Sequence, residues 1–181
     1  MPRYAPIQRI IHWLMAVIVL GTLAGGLMIG ILGFEGVTSM LGGPLRDTLY
    51  EYHKTFGLIV LGLMVIRLFL RFEIGHPYYD PPIAPWQRAV SALVHYLTYL
   101  ALFAMPILGW LATDAMNYPV EFFSWNLPQF IAKDVPMGEA LYAAHGFVGW
   151  TLVVLLALHI GAALKHWLID KDGVMRRMSL F

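Results

Sequence analysis

Three stretches of this chain, residues 10–34, 89–113 and 140–164, each run for 25 residues without an Asp, Glu, Lys or Arg. A helix needs about 20 consecutive apolar residues to cross the hydrocarbon of a bilayer, so each stretch is long enough to span one. A fourth, residues 49–72, carries Glu51, Lys54, Arg67 and Arg71. All four lie near its ends, where long side chains reach the interface. The composition agrees: 13% of residues are charged, against about 25% in soluble domains. The first stretch is too long for the apolar region of a signal peptide and lacks a small-residue cleavage site, so it reads as a membrane helix. The expected fold is an all-α membrane protein, one domain over residues 1–181. Its four transmembrane helices are expected at about 8–34, 49–72, 87–113 and 139–168, from span length and the charges that bound them. Between them fall a Gly-rich loop (36–46), a Pro-rich loop (75–85) and a longer connection (114–138). The aromatic residues of the last, among them Phe122 and Trp125, suit a membrane interface.

The cations set an orientation. Nine Lys and Arg fall on the side of the termini and the second connection, and three (Arg46, Lys54, Lys133) on the other. Cytoplasmic loops carry the excess of Lys and Arg, so both termini are expected in the cytoplasm. Four acids accompany the nine cations and seven accompany the three, leaving an inner face near +5 and an outer face near −4. The net charge of +1 gives no electrostatic basis for nucleic-acid binding. There is no cysteine, which excludes iron–sulfur clusters, thiolate chemistry and covalently attached c-type haem.

Seven histidines stand out in so apolar a chain. His145 and His159 are 14 residues apart in the fourth span. At about 100° per residue that is nearly four full turns, so they share a face, about 21 Å apart along the axis. This is too far for one metal ion and suits two sites, one in each leaflet. His53 lies at the depth of His145 near the outer surface, and His12 at the depth of His159 toward the cytoplasm. Two inward histidines from different helices at one depth can bind a haem iron from both sides. Iron held so has no open position, which favours electron transfer over oxygen chemistry. Gly57 follows His53 by one turn, Gly149 follows His145 by one turn, and Gly26 lies on the face of His12 at the depth of the outer site. Small residues there would let a flat macrocycle approach the backbone. Arg67 and Arg71 follow on the face of His53 at its inner end, where propionates need cations.

Two haem-free alternatives compete, a His-based proton path and a transition-metal transporter. A metal transporter more often adds intramembrane carboxylates or cysteines, and no Asp or Glu lies deep in any span. His76 reads as solvated, and His95 as a hydrogen-bonding residue near the inner end of the third span. His166 follows His159 by seven residues and would lie on the same face about 10 Å nearer the cytoplasm.

The chain resembles the bacterial cytochrome b561 family. The resemblance rests on Arg9, His12 and Trp13 opening the first span, and on His53, Lys54, Gly57, Arg67 and Arg71 in the second. It continues with Pro106 and Gly109 in the third, and with His145, His159, Lys165, His166, Asp170, Asp172 and Arg177 at the end. It implies two haem b groups, one held by His12 and His159 toward the cytoplasm and one by His53 and His145 toward the outside. It implies a multi-pass protein of the bacterial inner membrane that exchanges electrons between an extracytoplasmic donor, superoxide in one branch, and ubiquinone or menaquinone. Related subunits anchor periplasmic dehydrogenases or hydrogenases, or partner periplasmic binding proteins, and that reading is the alternative. The inner rim formed by Arg71, His95 and His166 is the expected quinone site. An anionic donor would be steered by a positive mouth, which at an outer face near −4 requires Arg46, Lys54 and Lys133 to converge.

Overall fold

The computed structural model describes residues 1–80 and 82–180; Pro81, in the expected Pro-rich loop, and Phe181, at the end of the expected 1–181 domain, lie outside the described residues. Four helices, α1 (Pro6–Leu41), α2 (Gly43–Ile74), α3 (Pro85–Ala115) and α4 (Val135–Lys165), form a four-span membrane bundle. α4 continues into a π-helical turn at His166–Asp170, and a 3-10 turn follows at Met175–Arg177. A short antiparallel hairpin, β1 (Glu121–Phe122) and β2 (Trp125–Asn126), lies in the α3–α4 connection. Each helix has a proline in its first turn, where the missing N–H costs nothing. Gln8 and Gln87 reach back to accept from the N–H groups of Ala5 and Ala84, and the Asp134 carboxylate accepts from Met137 N–H. These contacts satisfy donors that a helix start leaves open.

The Gly-rich segment 36–46 is not a loop. α1 bends at Gly33 (φ 65°) and stays helical to Leu41, and Gly42 alone (φ 78°) turns the chain into α2. Both angles lie in the region that glycine enters without steric cost. Low glycine propensity suggested a loop, but tertiary contacts override it. Val37 is fully buried, the Arg46 guanidinium lies 4.1 Å from the Phe34 ring centre, and Arg46 Nη1 donates to Thr38 Oγ1 at 2.9 Å.

α1 packs along α2, and α3 along α4; α2 and α3 join the two pairs, while α1 and α4 meet sparingly. Ile11, Met15, Val19, Val60, Met64, Ala101, Leu152 and Leu155 form the core. Large apolar side chains such as Val17, Phe69, Leu100, Phe147 and Val154 point outward. In water this would be an unstable surface; in a bilayer it is the lipid contact.

Both termini meet the α2–α3 loop at one end of the bundle, as an even number of spans requires. Arg177, buried, ties them together. It donates to the carbonyls of Pro2, Pro77 and Tyr78 and lies 3.9 Å from the Tyr79 ring centre. Arg9 and the Trp13 indole donate to the carbonyls of Ser179 and Met178, both at 2.8 Å. At the other end the Asp114 carboxylate, 1% exposed, accepts from Phe130 N–H (2.7 Å) and Ile131 N–H (2.9 Å). Asp114→Ala leaves both donors without an acceptor, and is expected to cost about 2 kcal/mol. Thermal melting in detergent, with proteolysis of the 118–134 segment, checks this; an unchanged melt with no new cleavage refutes it.

Candidate functional site

The four histidines selected by depth come together in two pairs. His12 on α1 faces His159 on α4 with ring centres 6.1 Å apart and ring planes at 74°. His53 on α2 faces His145 on α4, also at 6.1 Å, with planes at 79°. Two imidazoles on opposite sides of one metal, each bonded at about 2 Å, have centres about 6 Å apart. Both pairs therefore have the spacing of a two-imidazole iron site. His95 on α3 also meets His159, but at 5.1 Å and 89°. That is too close for an intervening metal, so His12 fits as the opposite ligand and His95 does not.

In the outer pair each ring is oriented by a backbone carbonyl on a neighbouring helix. His53 Nδ1 lies 3.1 Å from Thr22 O on α1, and His145 Nδ1 lies 2.9 Å from Met105 O on α3. A carbonyl only accepts, so Nδ1 carries the proton and Nε2 keeps its lone pair for a metal. Four residues beyond each carbonyl stands a glycine. A Cβ on Gly26 would lie 2.6 Å from His53 Cε1, and one on Gly109 would lie 3.0 Å from His145 Cε1. Gly57 and Gly149 do not meet an imidazole. A Cβ on Gly57 would find nothing within 4 Å, and one on Gly149 would touch the Met105 side chain at 3.6 Å.

The inner pair is surrounded differently. Trp13 packs edge-on against His12 with ring centres 5.4 Å apart. Arg67 lies within Coulombic reach of His12, His95 and His159. Its Nε donates to the Tyr99 hydroxyl at 3.0 Å, and it has no carboxylate partner among the described residues. An intramembrane arginine without a counter-charge is costly. A haem propionate would supply that charge, so the side chains present fit the group.

At the inner rim, Arg71 lies within Coulombic reach of His95, whose Nδ1 is held 2.6 Å from Ser91 O. His166 follows α4 in helical backbone, its N–H on Ala162 O, and opens the π-helical turn, with Nδ1 2.6 Å from Asp172 Oδ2 and 3.3 Å from Asp170 Oδ2. Lys165 holds Asp170 at 2.5 Å. On the outer side Lys54 pairs with Glu121 and Arg46 with Asp47, so neither is a free cation. Reasoning from sequence missed the roles of Thr22 and Met105, which act through backbone oxygens. The available signal was a glycine on the neighbouring helix at the depth of each histidine.

The sequence model of prokaryotic cytochrome b561 matches residues 3–179. "Cytochrome b561 homolog 2" of Escherichia coli (strain K12) is 33% identical over 178 residues, covering 97% of this chain and 90% of that protein. "Cytochrome b561 homolog 1" of the same strain is 28% identical, covering 98% and 97%. "Probable superoxide oxidase CybB" of Yersinia pestis is 23% identical, covering 97% and 95%. The chain belongs to the prokaryotic cytochrome b561 family, multi-pass electron-transfer proteins of the bacterial inner membrane that carry b-type haem.

Proposed function

We propose that the protein passes electrons across the membrane through two b-type haems, from an extracytoplasmic donor to a membrane quinone. His12 and His159 hold the inner haem; His53 and His145 hold the outer. The observation that carries this reading is the pair of histidine pairs at an equal 6.1 Å. The haems, when bound, supply a one-electron relay. The cation-rich end, with both termini, faces the cytoplasm under the positive-inside rule.

Arg71 and His95 form the quinone-facing rim, with His166 and its Asp172 partner beside the cytoplasm. Reduction of one quinone to quinol takes two electrons and two protons, so two one-electron donors are oxidised for each quinol formed. Superoxide belongs to that donor class, and the Yersinia pestis relative is named for its oxidation. The pairing of Lys54 and Arg46 with acids favours a cationic or protein donor over an anion.

Haem is counted per chain, and reoxidation of the reduced haems by quinone is timed. Two haems are expected per chain. Arg71→Ala and His95→Ala are each expected to slow reoxidation about tenfold, a loss of about 1.4 kcal/mol in the transition state. A folded but colourless protein overturns the haem reading and points to a transporter or proton path. Unchanged reoxidation in Arg71→Ala, His95→Ala and His166→Ala overturns the quinone rim.

A further inference from the structure

We infer that the turn following α4 is a binding site for one divalent cation of the zinc class, held by His166 Nδ1 and one carboxylate oxygen each of Asp170 and Asp172. These three atoms all lie within 4.8 Å of one another. Nδ1 is 2.6 Å from Asp172 Oδ2 and 3.3 Å from Asp170 Oδ2. Ligand atoms bonded to one metal at about 2.1 Å stand about 3.0–3.4 Å apart, so small side-chain rotations admit an ion between them. The backbone makes this convergence. In a regular helix Asp170, four residues beyond His166, shares its face, but Asp172, six beyond, points well away. The π-helical turn at His166–Asp170, then Lys171 and Gly173 at φ 52° and 84°, return Asp172 to the ring. Asp172 Oδ1 accepts from Val174 N–H at 3.0 Å, which leaves Oδ2 on the imidazole.

The charges at this turn leave room for a cation. Lys165 pairs with Asp170, but Asp172 has no Lys or Arg partner among the described residues. The His166 side chain is 15% exposed and both carboxylates 26%, so water screens the excess negative charge poorly. One imidazole nitrogen with two carboxylate oxygens suits zinc, whereas magnesium and calcium take shells of oxygen. Three protein ligands leave a fourth position for water, as in open zinc sites. Nδ1 carries a proton in this structure, because the carboxylate it faces only accepts. On metal binding that proton passes to Nε2 and the ring stays neutral. The Lys165 ammonium, on a half-exposed side chain, turns to solvent. None of the four paired histidines belongs to this cluster, so the site is independent of the haem-ligand reading.

Calorimetric titration of zinc chloride into the detergent-solubilised protein, prepared without a histidine tag, tests this. One zinc is expected per chain. His166→Ala and Asp172→Asn are each expected to weaken binding about tenfold or more. Lys165→Gln removes the competing ammonium and is expected to tighten binding, a gain that a misfolded variant cannot give. Magnesium chloride at the same concentrations is expected not to bind. No zinc bound by the wild type, equal affinity for magnesium, or wild-type affinity in both His166→Ala and Asp172→Asn overturns the inference. So does a Lys165→Gln variant that binds zinc no more tightly. A filled site withdraws His166 and Asp172 from the quinone rim, so zinc is also expected to slow reoxidation of the haems by quinone. That arm alone rests on the proposed function. Zinc that binds as described and leaves reoxidation unchanged removes His166 from the quinone rim, and the metal site stands, which keeps the two failures distinct.

Discussion

The double variant His12→Ala/His159→Ala is expected to keep one haem per chain, whereas His12→Ala/His53→Ala is expected to keep none. The difference is one of pairing, because on the proposed assignment each of the four histidines is one of two ligands to one iron. If both partners of one pair are lost, only that site empties; if one partner of each is lost, both sites are broken. The centre-to-centre distances of 6.1 Å identify the partners. They also make His95→Ala a control that keeps both haems, since its 5.1 Å contact with His159 leaves no room for iron. Haem extraction and a reduced-minus-oxidised spectrum of each variant decide the matter. Loss of the same haem in His95→Ala and His12→Ala would reassign the inner ligand.

Arg177→Ala is expected to produce the largest loss of stability away from the histidines, about 3 kcal/mol. The guanidinium is 3% exposed and donates to three backbone carbonyls on two separate segments, Pro2, Pro77 and Tyr78. Hydrogen bonds to a charged group contribute about 1.5–3 kcal/mol each, and the stranded acceptors add to the cost. Thermal melting in detergent measures it. Arg177→Lys should recover only part, because an ammonium lacks the planar fork that serves several acceptors and stacks on Tyr79. An unchanged melting temperature in Arg177→Ala would mean that the joined termini do not contribute to the fold.

The four spans, their order and the depth pairing of the histidines were legible in the sequence. A bilayer imposes a length on every crossing helix, and a regular helix turns sequence spacing into depth and direction. Where a helix departs from regularity, that reading failed. Gly33 and Gly42 carry the composition signal of a loop, yet one bends a helix and the other joins two, because Phe34 and Thr38 on α1 find Tyr50 and Arg46 on α2 and Val37 is buried. Beyond His166 the chain widens into a π-helical turn, which brings Asp172 back onto the imidazole, a contact that regular helical spacing does not give.

Residue chemistry along the chain settled that this protein lives in the membrane, spans it four times and places paired imidazoles at two levels. Those properties follow from side-chain polarity and helical spacing, which are written in residue order. Tertiary structure alone decided which atoms orient those imidazoles. Thr22 O and Met105 O are chemically the same as most other carbonyls in the chain, and only the packing of α2 on α1 and of α4 on α3 brings a ring against them.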